Sequence, residues 1–224
     1  MQTELRKQGD SACFVVTDLP PSLHEAARHL AYREVPGGWG FAVPAGTPDL
    51  DNIYANWARS VEALILQRAG LQPVPWEEAL HAFLDHVEGQ PIDWWLTGSG
   101  ALAVRGLDVT PGDLDLTVND ADGAHRLALV LRDHLVEPLQ ARTGWAAGWF
   151  ARAFLGACID WVGVPNDNFG VVDFGPTAAR QLETISWHGR EIRVPPLALQ
   201  RDVNLRRGRT KRAAQIERWL ANQP

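Results

Sequence analysis

The chain has 224 residues, 46% hydrophobic and 21% charged, which suits one generous domain or two small ones around a packed core. A formal net charge of −6 argues against a protein that coats nucleic acid by bulk electrostatics, while leaving room for a local basic patch. No stretch approaches the roughly 18 uninterrupted apolar residues of a membrane span, the first ten residues lack the apolar run of a secretory signal, and the two cysteines, Cys13 and Cys158, lie far apart, so a cytoplasmic protein with reduced thiols and no membrane contact is expected.

In chain order, Ala12–Thr17 is a run of strand formers, and Ser22–Glu34 carries apolar residues at helical spacing after Pro20-Pro21. Residues 39–43 read as a second strand. Leu50–Ala69 is an amphipathic helix with Ile53, Trp57, Val61, Leu64 and Ile65 on one stripe, and Pro75–Val87 is another. Up to residue 88 there is no recognisable chemistry, and a structural role is expected for this N-terminal α/β accessory region. Ile92–Leu96 then forms a strand that runs into Thr97-Gly98-Ser99-Gly100, and Leu114–Val118 forms another with Asp113 and Asp115 at its start. A helix is expected over 121–135, strands over 146–155 and 157–164 meeting at Gly156, a hairpin turning at His188-Gly189, and a helical tail over 197–222. Strands and helices alternate without a strict βαβ rhythm, so the expected fold class is α/β (α+β), a mixed sheet with flanking helices and a helical C-terminus. The ten tryptophans are scattered rather than periodic and read as packing residues, one or two of them able to stack a base.

The chemistry concentrates between Gly98 and Asp160. In a strand, residues i and i+2 project from one face, so Asp113 and Asp115 point together while Leu114 and Leu116 enter the core. Paired carboxylates repel unless a cation lies between them, and Mg²⁺, which prefers oxygen ligands and substrate phosphates, is the expected one. A strand ending at Gly98-Ser99 and opening a helix leaves free backbone N–H groups for a triphosphate, with the Ser99 hydroxyl as cap or phosphate donor. Asp160, inside the apolar run Cys158-Ile159-Asp160-Trp161-Val162, needs a metal or a cation, because a buried unpaired charge is costly. Asp173, in Phe169-Gly170-Val171-Val172-Asp173-Phe174, competes with it for the third position. No Walker-type loop, nucleophile elbow or cysteine zinc motif is present, and His81 and His86, five apart, do not share a helical face.

An apolar strand ending in Gly98-Ser99, a spacer, Asp113-Leu114-Asp115 and a later lone Asp160 together resemble the polymerase-beta-type nucleotidyltransferase superfamily. The likeness is to its small bacterial branch of antibiotic nucleotidyltransferases and nucleotidyltransferase toxins, and it covers about residues 91–164. It implies a Mg²⁺-dependent enzyme that transfers an NMP group from an NTP such as ATP to a hydroxyl and releases pyrophosphate. One or two Mg²⁺ ions would sit on Asp113, Asp115 and Asp160, with Asp160 as base or as a ligand that lowers the acceptor's pKa. The acceptor is a small molecule such as an aminoglycoside, a tRNA 3′ end or a protein side chain, and the branch admits an antitoxin-type protein partner. The core would span 89–195 and the C-terminal helical segment 196–224. That segment is similar to the branch's tail, with Arg212 and Gln215 standing where acidic residues are usual. Arg105, Arg209 and Lys211 are the expected phosphate contacts beside Gly98 and Ser99. The contrasting expectation is a non-enzymatic nucleotide-binding or regulatory partner on the same fold, which would tolerate loss of Asp115.

Overall fold

The computed structural model describes residues 1–170 and 172–222. Ala12, Phe14 and Val16 alternate along β2 (Ser11–Thr17) and are fully buried, as expected for a strand with one face on a core. This strand belongs to a four-stranded antiparallel sheet ordered β1 (Gln2–Gln8), β2, β4 (Gly38–Pro44), β3 (Arg33–Val35). Helices α1 (His24–His29) and α2 (Leu50–Arg68) accompany it. The Trp57 ring of α2 packs 5.5 Å from Phe14, and its Nε1 donates to the Tyr32 hydroxyl at 2.8 Å, so this large buried aromatic also has its polar atom satisfied.

A five-stranded sheet follows, ordered β5 (Trp94–Thr97), β6 (Leu114–Val118), β9 (Cys158–Pro165), β8 (Ala147–Phe154), β7 (Leu135–Ala141). Only β6 and β9 run parallel, so the sheet is mixed as expected. Helices α3 (Trp76–Val87), α4 (Gly98–Ala103) and α5 (Ala121–Val130) flank it, with Ala124 and Leu127 of α5 fully buried. Helix α2 also packs on β7, and one continuous hydrophobic core runs from Ala12 to Val194 through both sheets. Beyond it come α6 (Pro176–Ala179) and the hairpin β10 (Glu183–Trp187)–β11 (Arg190–Val194), which Arg193 ties to β5 through the Trp94 carbonyl. Helices α7 (Leu197–Arg206) and α8 (Thr210–Ala221) close the chain. A small separate cluster of Leu102, Leu107, Leu197 and Ile216 fastens them to α4, and that contact sets the tail over the ends of β5 and β6.

Three expectations need correction, and one strand was not anticipated. β1 escapes a pattern reading because Leu5 is its only interior apolar residue; pairing with β2 creates it. The helix expected over 22–34 is a 3-10 turn and six α-helical residues, after which Arg33–Val35 joins the sheet. The helix expected over 121–135 ends at Val130, and Leu135 begins β7. That strand accommodates Pro138 at register shifts between Leu135 and Gln140. The tail is two helices, broken where Gly208 takes φ +69°. Among the described residues, no helix is long and apolar enough to cross a membrane.

Candidate active site

One polar row crosses all five strands of the mixed sheet. Thr97 of β5 is opposite Asp115 of β6, Asp115 is opposite Asp160 of β9, Asp160 is opposite Arg152 of β8, and Arg152 is opposite Glu137 of β7. Directly opposed residues share a face, so the row reads hydroxyl, acid, acid, base, acid. Asp113, just ahead of β6, falls on the same face. One carboxylate oxygen from each of Asp113, Asp115 and Asp160 lies within 4.8 Å of the others. Leu114 and Leu116 alternate with them and are buried, as the i, i+2 spacing requires.

The three carboxylates differ in how their charge is met. Arg152 grips Asp160 with two parallel bonds, Nε to Oδ1 at 2.6 Å and Nη2 to Oδ2 at 2.7 Å. Its Nη1 donates to the Leu30 carbonyl at 3.3 Å and reaches Glu137 at 3.5 Å. The Cys158 thiol adds a contact of 3.0 Å to Asp160 Oδ1. Burial alone would raise the Asp160 pKa, but the charge and hydrogen bonds of Arg152 outweigh it and hold Asp160 below the usual carboxylate range. Asp113 Oδ2 accepts from Arg68 Nη2 at 2.8 Å. Asp115 has no ion-pair partner among the described residues. Its pKa is pushed up to about 8 by burial first, then by the charges of Asp113 and Asp160.

Gly98 sits at φ +60°, and a Cβ there would lie 2.3 Å from Asp115 Oδ2. The glycine is therefore needed for close approach of Asp115 to the backbone, in addition to its backbone conformation. Gly98→Ala is expected to cost about 1–3 kcal/mol from the strained φ and the collision, read as a lower denaturant midpoint at unchanged slope. The Gly98 carbonyl accepts from Gln200 of α7 at 3.1 Å, and Asn204 donates to the Gln200 carbonyl at 2.8 Å, so the tail is hydrogen-bonded to the turn beside the carboxylates.

A cavity of about 1130 Å³ opens at Asp113 and Asp115. Its lining includes Gly98, Ser99 and the acids Asp113, Asp115 and Asp173 together with the cations Arg68, Arg207, Arg209, Lys211, Arg212 and Arg218. Thr210 opens α8 here and its preceding residue makes no side-chain cap, so the first-turn N–H groups add to the positive potential. A second chamber of about 250 Å³ shares Gly98, Asp115, Asp173 and Arg207 with the first and adds Asp160 and the rings of Trp145, Phe150 and Phe174. Trp145 is 43% exposed, so part of this aromatic wall reaches solvent. Asp173 is buried, and its Oδ1 has no hydrogen-bond partner among the described residues. Burial raises its pKa against the opposing charge of Arg207, Arg206 and Arg209.

Of the residues singled out from sequence, Gly98, Ser99, Asp113, Asp115, Arg209 and Lys211 line the larger cavity and Asp160 lines the smaller. Arg105 does not. Its guanidinium turns away to Glu183 of β10 and to the Pro195 carbonyl, because α4 directs it toward the hairpin rather than over the carboxylates. Pattern reading missed Arg68 and Arg152. A signal for Arg152 existed: it and Asp160 are lone opposite charges in apolar strands, each four residues from Gly156, which hairpin pairing places face to face. Arg68 follows the apolar stripe of α2 and carries no such mark.

The carboxylate set suits a hard divalent cation: three converging oxygens, with Asp115 lacking a counter-charge. Asp113 and Asp115 would hold it, with Asp160 as the third ligand. No family model and no curated protein matches the chain. Among solved structures, a candidate nucleotidyltransferase from Thermotoga maritima shares its fold at 19% identity and TM-score 0.51, over 68% of this chain and 97% of that one. Two others overlap less well. ANT(2″)-Ia in complex with adenylyl-2″-tobramycin is 14% identical, with TM-score 0.44 over 63% of this chain and 87% of that one. An antigenic nucleotidyltransferase-like protein from Paracoccidioides brasiliensis is 11% identical, with TM-score 0.41 over 65% and 74%. The α+β fold is thus one shared with the Thermotoga maritima structure.

Proposed function

We propose that this protein is a nucleotidyltransferase, moving an NMP group from an NTP to a hydroxyl acceptor with release of pyrophosphate. The observation that carries the reading is the meeting of the acidic cluster of Asp113, Asp115 and Asp160 with a basic cavity large enough for a nucleoside triphosphate. Arg207, Arg209, Lys211 and the first turn of α8 would take the phosphates. Gly98 and Ser99 would hold the phosphate nearest the carboxylates. A bound Mg²⁺ would neutralise charge on the reacting phosphate and lower the pKa of the attacking hydroxyl.

The remaining work falls to the protein's own groups. Asp160, ionised and fixed by Arg152, suits a ligand and an electrostatic anchor better than a proton acceptor, since a carboxylate held below its usual range is a weak base. The smaller chamber would receive the acceptor: its aromatic walls offer a stacking surface, and Asp115 and Asp160 lie in its lining. A hydroxyl presented there would be close to the phosphate bound in the larger cavity, which supplies proximity and orientation.

The test uses each of the four α-³²P NTPs with Mg²⁺ and three acceptor pools: total RNA, an aminoglycoside panel, and the protein alone. Label entering one pool with wild type, and not with Asp113→Asn/Asp115→Asn, would establish transfer and identify the acceptor class. Nucleotide-dependent thermal stabilisation without transfer to any pool would favour the non-enzymatic nucleotide-binding reading. Absence of both would overturn the assignment.

A further inference from the structure

Arg68 comes from the N-terminal region, outside every motif of the site, yet its guanidinium lines the larger cavity and meets Asp113. Its backbone is anchored. The neighbouring Gln67 is buried and donates to the Gly156 carbonyl at 2.8 Å, which ties the last turn of α2 to the β8–β9 turn. The side chain is held far less firmly. Among the described residues it makes one ion pair, at 2.8 Å, and it remains 25% exposed.

The contrast with Arg152 is informative. Arg152 binds Asp160 through two nitrogens, donates to the Leu30 carbonyl, meets Glu137 and is only 9% exposed. Releasing it would strand two buried acids. Arg68 can leave Asp113 by rotating its own side chain, and the cavity in front of it is the one lined by Arg207, Arg209 and Lys211.

We propose that Arg68 is an exchangeable counter-ion: it pairs with Asp113 in the metal-free protein, yields that carboxylate to a divalent cation, and turns its guanidinium to the phosphates of the nucleotide. This rests on the metal and triphosphate sites assigned under the proposed function. A metal and a guanidinium on the same carboxylate compete, whereas a fixed arginine orienting Asp113 would assist the metal. The two roles therefore predict opposite signs for the same substitution.

Calorimetric titration with Mn²⁺ alone, then with preformed Mn²⁺–tripolyphosphate, separates them without any acceptor or turnover. Arg68→Gln is expected to bind Mn²⁺ about three- to tenfold more tightly than wild type, because a nearby positive charge is gone. It should bind Mn²⁺–tripolyphosphate about tenfold more weakly, because a charge-assisted donor is lost. Arg68→Lys should recover part of the tripolyphosphate affinity, and an unchanged melting temperature for both variants would confirm that the fold is intact. Weaker Mn²⁺ binding by Arg68→Gln, or unchanged tripolyphosphate binding, overturns the proposal while leaving the nucleotidyltransferase reading in place. Wild-type protein that takes up no Mn²⁺ removable by Asp115→Asn fails the metal site itself, and the proposal falls with it.

Discussion

Asp115→Asn is expected to stabilise the metal-free protein and to abolish its activity. Among the described residues Asp115 is the one carboxylate of the cluster without an arginine partner, and its folded pKa of about 8 stands far above the ordinary value of about 4. The sign of the pH effect follows from proton uptake. Between those values the folded protein holds a proton that the unfolded chain has released. This proton's stabilisation is full below about pH 4 and is lost as pH rises through about 8. Asparagine has no charge to develop, so its advantage over wild type should be small at pH 5 and grow toward pH 9. A gain of about 1–2 kcal/mol at the upper end corresponds to roughly 2–8 °C in melting temperature. Added Mg²⁺ should abolish the difference by stabilising wild type alone. Transfer should fall by on the order of 10³-fold or more, because the loss falls on a ligand of the proposed ion. Melting curves at several pH values with and without Mg²⁺ check the first part. A variant that is no more stable than wild type at pH 9 would mean Asp115 is not an unmet charge.

Arg152→Met should have the largest effect on stability of any substitution in the row. It removes the common partner of Glu137, which is buried, and of Asp160, which lines the smaller chamber. Breaking a buried ion pair from one side costs about 3–5 kcal/mol, roughly 10 °C in a chain of this size. Adding Asp160→Asn removes one stranded charge. The double variant should therefore be more stable than the two single losses sum to, giving a favourable coupling of roughly 1–3 kcal/mol in a double-mutant cycle. Denaturant unfolding of the four proteins measures it. A loss below about 1 kcal/mol for Arg152→Met, or strict additivity, would show that Asp160 does not depend on Arg152. Asp160→Asn alone would still disturb the site, so activity cannot replace stability as the readout here.

The acidic cluster and its glycine turn were more legible in the sequence than the packing around them. Gly98-Ser99, Asp113, Asp115 and Asp160 are local signals: a glycine turn, an alternating acid pair, and a charge inside an apolar strand, each interpretable within five residues. Their convergence needed only strand pairing, with Asp115 beside Asp160 across the parallel β6–β9 contact. Strands β1 and β3 were not legible, because their apolar content is low and the neighbouring strands decide their conformation. The same holds for β7, where Leu135 continues an apolar spacing that reads equally well as helix. The break between α7 and α8 was marked by Gly208, but the helical pattern on either side masked it. Arg105 illustrates the opposite error. Its position between two motifs suggested phosphate contact, while its direction depends on how α4 docks against the hairpin, a tertiary fact. Arg68 was hidden for the same reason. Sequence patterns show its place at the end of α2, but only the packing of α2 between the two sheets brings that end to Asp113.

Transfer of an NMP group by these carboxylates and the basic cavity fixes one stoichiometry. The most direct measurement is stoichiometry: α-³²P incorporated into acceptor against pyrophosphate released, for wild type and for Asp113→Asn/Asp115→Asn, with Mg²⁺ and with chelator. One pyrophosphate for each labelled acceptor, seen only with wild type and Mg²⁺, is the expected result. Orthophosphate in place of pyrophosphate, or equal incorporation by the double variant, would contradict it.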